Sequence, residues 1–137
     1  MENNQIWVEN AISHWISSGI KLQKGISIEK IQEFEKILGF QFPQDFIDLY
    51  SKVNGFEDFD WNESMFSLWS LERILKEYQE SAEPNFIAFC DYLIVSHRIG
   101  FSKINAEIFK DYNLDKSISA TFKESIELIT KNSNLIY

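Results

Sequence analysis

Apolar positions recur at helical spacing through the first half of the chain and crowd into short runs through the second. Val8, Ile12, Trp15 and Ile16 stand at i, i+4, i+7 and i+8, with Trp7 and Ala11 widening the stripe. That spacing predicts a helix from about Gln5 to Ser17, capped by Asn3 or Asn4 and ended by Gly19. After a link through Lys24-Gly25, Ser27 offers an N-cap and Glu29 falls in a first turn. Ile31, Phe34, Ile37 and Leu38 then form the stripe of a second helix closed by Gly39. Only Phe40-Gln41-Phe42 separates it from a third, so the two should pack as neighbours. Pro43 suits the first helical position and Asp45 the first turn. Phe46, Leu49, Tyr50 and Val53 make the third buried face, and Asn54-Gly55 reads as its stop.

From Phe56 to Ser64 acids alternate with aromatics. Met65 to Trp69 reads as a short strand with Phe66 and Leu68 on one side, and Ser70 caps a helix striped by Leu71, Ile74, Leu75 and Tyr78. Ala82-Glu83-Pro84-Asn85 is a turn. Phe86 to Cys90 and Tyr92 to Ile99 read as strands, with Asp91 a break between them. Gly100 and Asn105 punctuate the route to a third strand near Glu107 to Lys110. A last helix begins near Ser117 or Ser119, striped by Ile118, Phe122, Ile126 and Ile129, with Thr121 and Glu124 at capping-box spacing. Helices first, strands together and a closing helix predict an α+β fold. It is a single domain, a mostly antiparallel sheet with N-terminal helices and a C-terminal helix packed against it.

At 137 residues, without a Pro/Gly/Ser-rich linker, one domain is expected. Such a domain buries about 68% of its unfolded surface. The aromatic share, 15%, implies a core of large side chains with some left for an interface. A formal charge of −8 argues against direct nucleic-acid or anionic-membrane binding, both of which need a basic footprint. It suits a soluble cytosolic protein, as a plain solubility feature, and would also suit a basic partner. One cysteine, Cys90, excludes a disulfide framework and a cysteine metal cluster. The N-terminus lacks signal-peptide regions, and no apolar run reaches the ~20 residues needed to cross a bilayer, so a cytoplasmic address is expected.

Catalytic signatures are missing from the sequence. His14 falls in the first helix's apolar stripe and reads as a core or boundary residue. His97 lies in a predicted strand beside Arg98, and neither has a ligand at metal spacing. Asp58, Asp60 and Asn62 match the opening ligands of an EF-hand loop, but Glu63 and Trp69 occupy the places that require Gly and Glu. Cys90 sits in an apolar run where thiols are inert packing. Carboxylate pairs such as Asp45 with Asp48 fit a solvated helix face. No catalytic residue, cofactor or metal is assigned, and no enzyme is expected. What remains is recognition: Phe56, Phe59 and Trp61 either anchor a partner amid their acids or fold back as a lid on the core.

The segment Ile31-x-x-Phe34-Glu35-x-x-Leu38-Gly39-Phe40-x-Phe42-Pro43-x-Asp45-Phe46 resembles the start of the SUKH superfamily, which includes Smi/Knr-type regulators of yeast cell-wall assembly and many bacterial immunity proteins. Asn54-Gly55, Leu68-Trp69-Ser70-Leu71, the run Phe86 to Tyr92 and the run Ile118 to Glu124 continue the pattern in order. The resemblance spans roughly Ile26 to Thr130, leaving residues 1–25 as an N-terminal helical extension. It departs where the usual leucine before proline is Phe42. It implies an α+β domain without catalytic residues that, in bacteria, binds and neutralises a cognate toxin, often a nuclease or deaminase.

The expected function is therefore a cytoplasmic immunity protein, monomer or weak dimer, with a basic toxin as its partner. Glu57, Asp58, Asp60, Trp61 and Glu63 are the expected contacts, with Trp61 the anchor and Asp91 and Tyr92 a second patch. A regulator or scaffold binding an endogenous protein is the alternative, and a metal-dependent hydrolase using the acidic loop a third reading.

Overall fold

Aromatic rings meet where the third helix crosses the sheet. Phe46 is stacked between Phe42 and Tyr50, with centroids 4.0 and 4.1 Å away. Phe101 and Phe122 meet it edge-on at 5.8 and 5.1 Å, and Phe89 lies 5.2 and 5.0 Å from those two. Stacked and edge-to-face pairs stabilise beyond the area they bury, by about 0.5–1.5 kcal/mol each. Phe42, the departure from the family pattern, is thus absorbed as one layer of a ring stack.

The computed structural model describes residues 2–57, 65–92, 97–112, 114 and 116–130. The elements in chain order are α1 (Glu2–Ser17), β1 (Leu22–Lys24), α2 (Ile28–Leu38), α3 (Gln44–Tyr50), β2 (Val53–Phe56), β3 (Phe66–Leu68), α4 (Leu71–Glu80), β4 (Phe86–Tyr92), β5 (His97–Ser102), β6 (Ile108–Lys110) and α5 (Phe122–Thr130). Strands β3, β4, β5 and β6 form an antiparallel meander in that order, and β1 pairs with β2 in a separate ribbon. This is the single-domain α+β fold that the order of patterns predicts. Helices α3 and α5 cover the meander face carrying Phe89 and Phe101. Strand alternation puts Arg98 on the opposite face, where α4 reaches it through Glu77.

Local signals hold where they act locally. Ser27 caps α2 through Lys30, Gly39 closes that helix, and Ser70 caps α4 through Arg73. Thr121 accepts from the Glu124 amide at 3.2 Å and starts α5. Elsewhere tertiary contacts decide. Ile16 is 62% and Ile37 58% exposed, because each lies well off the centre of its helix's buried stripe. Pro43 is the N-cap of α3 rather than its first residue. Asp91 does not break the strand, since β4 continues through it to Tyr92, and Gly100 lies inside β5. Ile118 precedes α5 and instead donates its amide to the Ile108 carbonyl at the edge of β6, while the Ile108 amide donates to the Ser119 carbonyl. The predicted strand Tyr92 to Ile99 divides, Tyr92 ending β4 and His97 starting β5, and its residues 93–96 lie outside the described ones.

The largest correction concerns Asn54-Gly55. Helix α3 ends at Tyr50, capped by Ser51, and Val53, expected on its buried face, begins β2. The Asn54 side chain accepts from the Leu71 amide and donates to Glu72, both at 2.8 Å. The Tyr50 hydroxyl donates to the Trp69 carbonyl at 2.5 Å. Gly55 lies at φ +75°, and a Cβ there would sit 2.4 Å from that same carbonyl oxygen. The pair clamps the start of α4 instead of stopping α3.

Asp45 has a wider reach than its own helix. One carboxylate oxygen accepts from the Phe46 amide and the other from the Lys123 amide in the first turn of α5, each at 2.9 Å. Burial raises its pKa above the ordinary value, outweighing the two amides.

Gly55→Ala should lose roughly 3–5 kcal/mol, combining left-handed strain with overpacking, a large share of a typical domain's stability. Gly19→Ala, at φ +83° with nothing within 4 Å, should lose only about 1–2 kcal/mol of strain. Urea titrations of both variants measure the contrast. Because the folded pKa of Asp45 is raised, its contribution is present at low pH and fades as pH rises through that value. The melting-temperature difference between the wild type and Asp45→Asn should therefore move in favour of the wild type from pH 7 down to about 4.

Candidate functional site

The described start of the acidic-aromatic stretch lies beside α1, and the chain described after it begins at one end of the meander. Phe56 is core: it is 3% exposed and sits edge-on to Trp15 at 5.1 Å. Glu57 is exposed, and its amide donates to the Lys21 carbonyl at 2.8 Å. Asp58, Asp60, Trp61 and Glu63 lie outside the described residues, as do Phe59 and Asn62. The described chain resumes at Met65, and Phe66 pairs with Tyr92 across the ladder.

Tyr92 belongs to a row of rings at that end. Phe66 lies 4.9 Å from Tyr92, His97 5.1 Å beyond it, and Tyr112 edge-on to His97 at 5.4 Å. Lys110 reaches the Tyr112 ring with its ammonium 5.0 Å from the centroid. Tyr92 is half-buried and Tyr112 exposed, so the row rises from the interior to the surface. Sequence reasoning does not single out Tyr112 or Lys110. Their only local signal is an aromatic and a cation at the end of a short strand.

Asp91, one residue from Tyr92, is interior at 4% exposed. Its carboxylate accepts from the Trp69 indole at 2.5 Å and lies 3.8 Å from the Arg73 guanidinium, which itself stacks on the Trp69 ring at 4.4 Å. Asp91 therefore supports the residues around it and is not part of the exposed end.

Burial, with the Asp91 carboxylate adding to it, pushes the Cys90 thiol well up. Burial likewise raises Tyr50. A thiol so placed is a poor nucleophile. His14, expected at a core or boundary, is exposed on α1 beside a shallow cavity of about 200 Å³ shared with α5. His97 is buried among the rings just described. Among the described residues no group of three or more His, Cys, Asp or Glu side chains could hold a metal ion. No described helix is long and apolar enough to cross a membrane.

Residues 25–125 match the model of the SMI1 / KNR4 family (SUKH-1). The match opens just before α2 and closes inside α5, so α1 lies outside it. Among curated proteins nothing matches the chain.

Trp69→Phe keeps an aromatic ring but removes the indole N–H that donates to Asp91. It should lower stability by about 1–3 kcal/mol, the cost of leaving a buried acceptor short. Urea denaturation should record the loss as a lower midpoint with an unchanged slope.

Proposed function

The chain belongs to the SMI1/KNR4 family (SUKH-1), and from that premise we propose that it is a cytoplasmic immunity protein that binds a cognate bacterial toxin stoichiometrically and performs no chemistry of its own. Family membership carries the reading, since the SUKH group includes many bacterial immunity proteins. The charge of −8 supports a basic partner such as a nuclease, because opposite charge accelerates encounter and fixes register.

The contact surface is the acidic-aromatic stretch with the exposed end of the ring row. Glu57, Asp58, Asp60 and Glu63 supply the field, and Trp61 supplies the anchor. Aromatic residues ringed by polar ones are the usual energetic centres of interfaces. Tyr92, brought to the return point of that stretch by its pairing with Phe66, extends the surface. Asp91 contributes from below by holding Trp69 and Arg73 in place.

The test is a binding measurement against the toxin encoded next to this gene. Association at a Kd of about 1 μM or tighter, with an on-rate that falls as salt rises, is expected. Trp61→Ala should weaken it about 30-fold or more, the size of an interface hot spot. No association at micromolar concentration overturns the immunity reading. Pull-downs that recover housekeeping proteins instead would favour the regulator role for which the family's yeast members are known.

A further inference from the structure

The meander face opposite the aromatic core is only partly covered by α4. What is left is a groove of two adjoining cavities, about 470 and 200 Å³, which share Glu83, Phe86 and Leu114 in their walls. Its floor is apolar, Phe86 and Ala88 from β4 and Phe109 from β6, and Ile104 from the turn before β6 stands at its edge. Ile104 is 80% exposed, more than any other large apolar residue described.

Its rim is acidic. Glu77 and Glu80 come from α4, Glu83 from the turn after it, and Asp111 from the end of β6. Among the described residues Arg98 is the one cation in the lining, and Lys103 stands beside it, donating to the hydroxyl of the lining residue Tyr78 at 3.0 Å. Arg98 lies 3.7 Å from Glu77 and 3.9 Å from Asp111, and its buried Nε has no hydrogen-bond partner. Glu80 and Glu83 are exposed and have no cation within ion-pair distance among the described residues. The groove as a whole is a part-apolar trough in which Glu77 and Asp111 are paired with arginine and the negative charge of Glu80 and Glu83 is left unbalanced among the described residues.

We propose that this groove is a second docking surface, which receives an extended basic segment of a protein partner, with apolar side chains on the Phe86–Phe109 floor and lysine or arginine heads at Glu80 and Glu83. Long cationic side chains suit such a site because their stems lie on apolar surface while the charge stays at the wet rim. Charge complementarity selects a basic protein segment over nucleic acid, which the same carboxylates repel. The proposal deepens the partner-binding reading and rests on it only for the partner's basic character. The groove runs from the Phe86 end of β4 to Arg98 and Asp111, the chain neighbours of His97 and Tyr112 in the ring row, so the two surfaces are told apart by which residues respond: Phe86, Ala88 and Leu114 for the groove, Tyr92 for the other.

The experiment is an NMR titration of the full chain with a synthetic alternating leucine–lysine hexapeptide, with leucine–glutamate and lysine-only hexapeptides as controls. Shifts at Ala88, Arg98 and Leu114 with the first peptide alone are expected. The pair Glu80→Lys with Glu83→Lys should weaken binding about tenfold or more, while the control pair Glu9→Lys with Glu29→Lys, equal in net charge change, should alter it less than about twofold. Should the reversed pair unfold the domain, Leu114→Ser replaces it, and the same loss of affinity is expected. No binding at about 1 mM peptide, shifts confined elsewhere, equal binding of the lysine-only peptide, or equal losses in both pairs overturns the proposal. So does a dimer in sedimentation that dissociates on the reversal, since a second copy would then own the groove. None of these outcomes depends on a toxin, so failure here is distinct from failure of the immunity reading.

Discussion

Trp69 is where the separate parts of the fold are joined. Its carbonyl takes the Tyr50 hydroxyl and tolerates no side chain at Gly55, so α3 and β2 are both held against one peptide. Its amide donates to Phe89 in β4, its indole to Asp91, and its ring carries Arg73. Asn54 secures the next turn by capping Leu71. Buried polar groups tolerate few arrangements, because each unpaired atom costs about 1–3 kcal/mol. These bonds tie the start of α4 to β2, α3 and β4.

How much of this was legible follows from the range of the forces involved. Ser27, Ser70, Gly39 and the Thr121–Glu124 pair act within a turn of their own position, and each stands where its chemistry says it should. Asn54 looked like a helix stop because its neighbours along the chain suggested it. Its partners are Leu71 and Glu72, and no local pattern announces a clamp that spans such a distance. Asp45 is similar: its first-turn position was readable, while its bond to Lys123 was not. Asp91 misled because a carboxylate within an apolar run looks like a boundary until a buried indole is found facing it. Of the predicted surface residues, Glu57 and Tyr92 sit where a partner could reach them, and the groove left no trace in the pattern because turns and strand ends assemble it.

The two ends of the meander differ in character. At the Tyr92 end, rings step outward from a packed interior. From the Phe86 end toward Arg98 and Asp111, carboxylates rim a part-apolar trough. A rigid sheet holding both at a fixed separation can discriminate among partners by spacing as well as by charge, since preorganised surfaces lose little entropy on binding. Family membership fixes the scaffold, and under the proposed reading the choice of partner falls to the sheet's ends and the turns around them.

The solitary thiol has a practical meaning. Cys90 is the chain's one cysteine, 1% exposed and resistant to ionisation. Maleimide chemistry on the native protein should therefore pass it by, and a cysteine placed at any surface position becomes a unique handle without first removing the natural one. Spectroscopic labels can be walked around both ends of the sheet in an otherwise unaltered domain. Modification of Cys90 itself would then signal only that the core had opened.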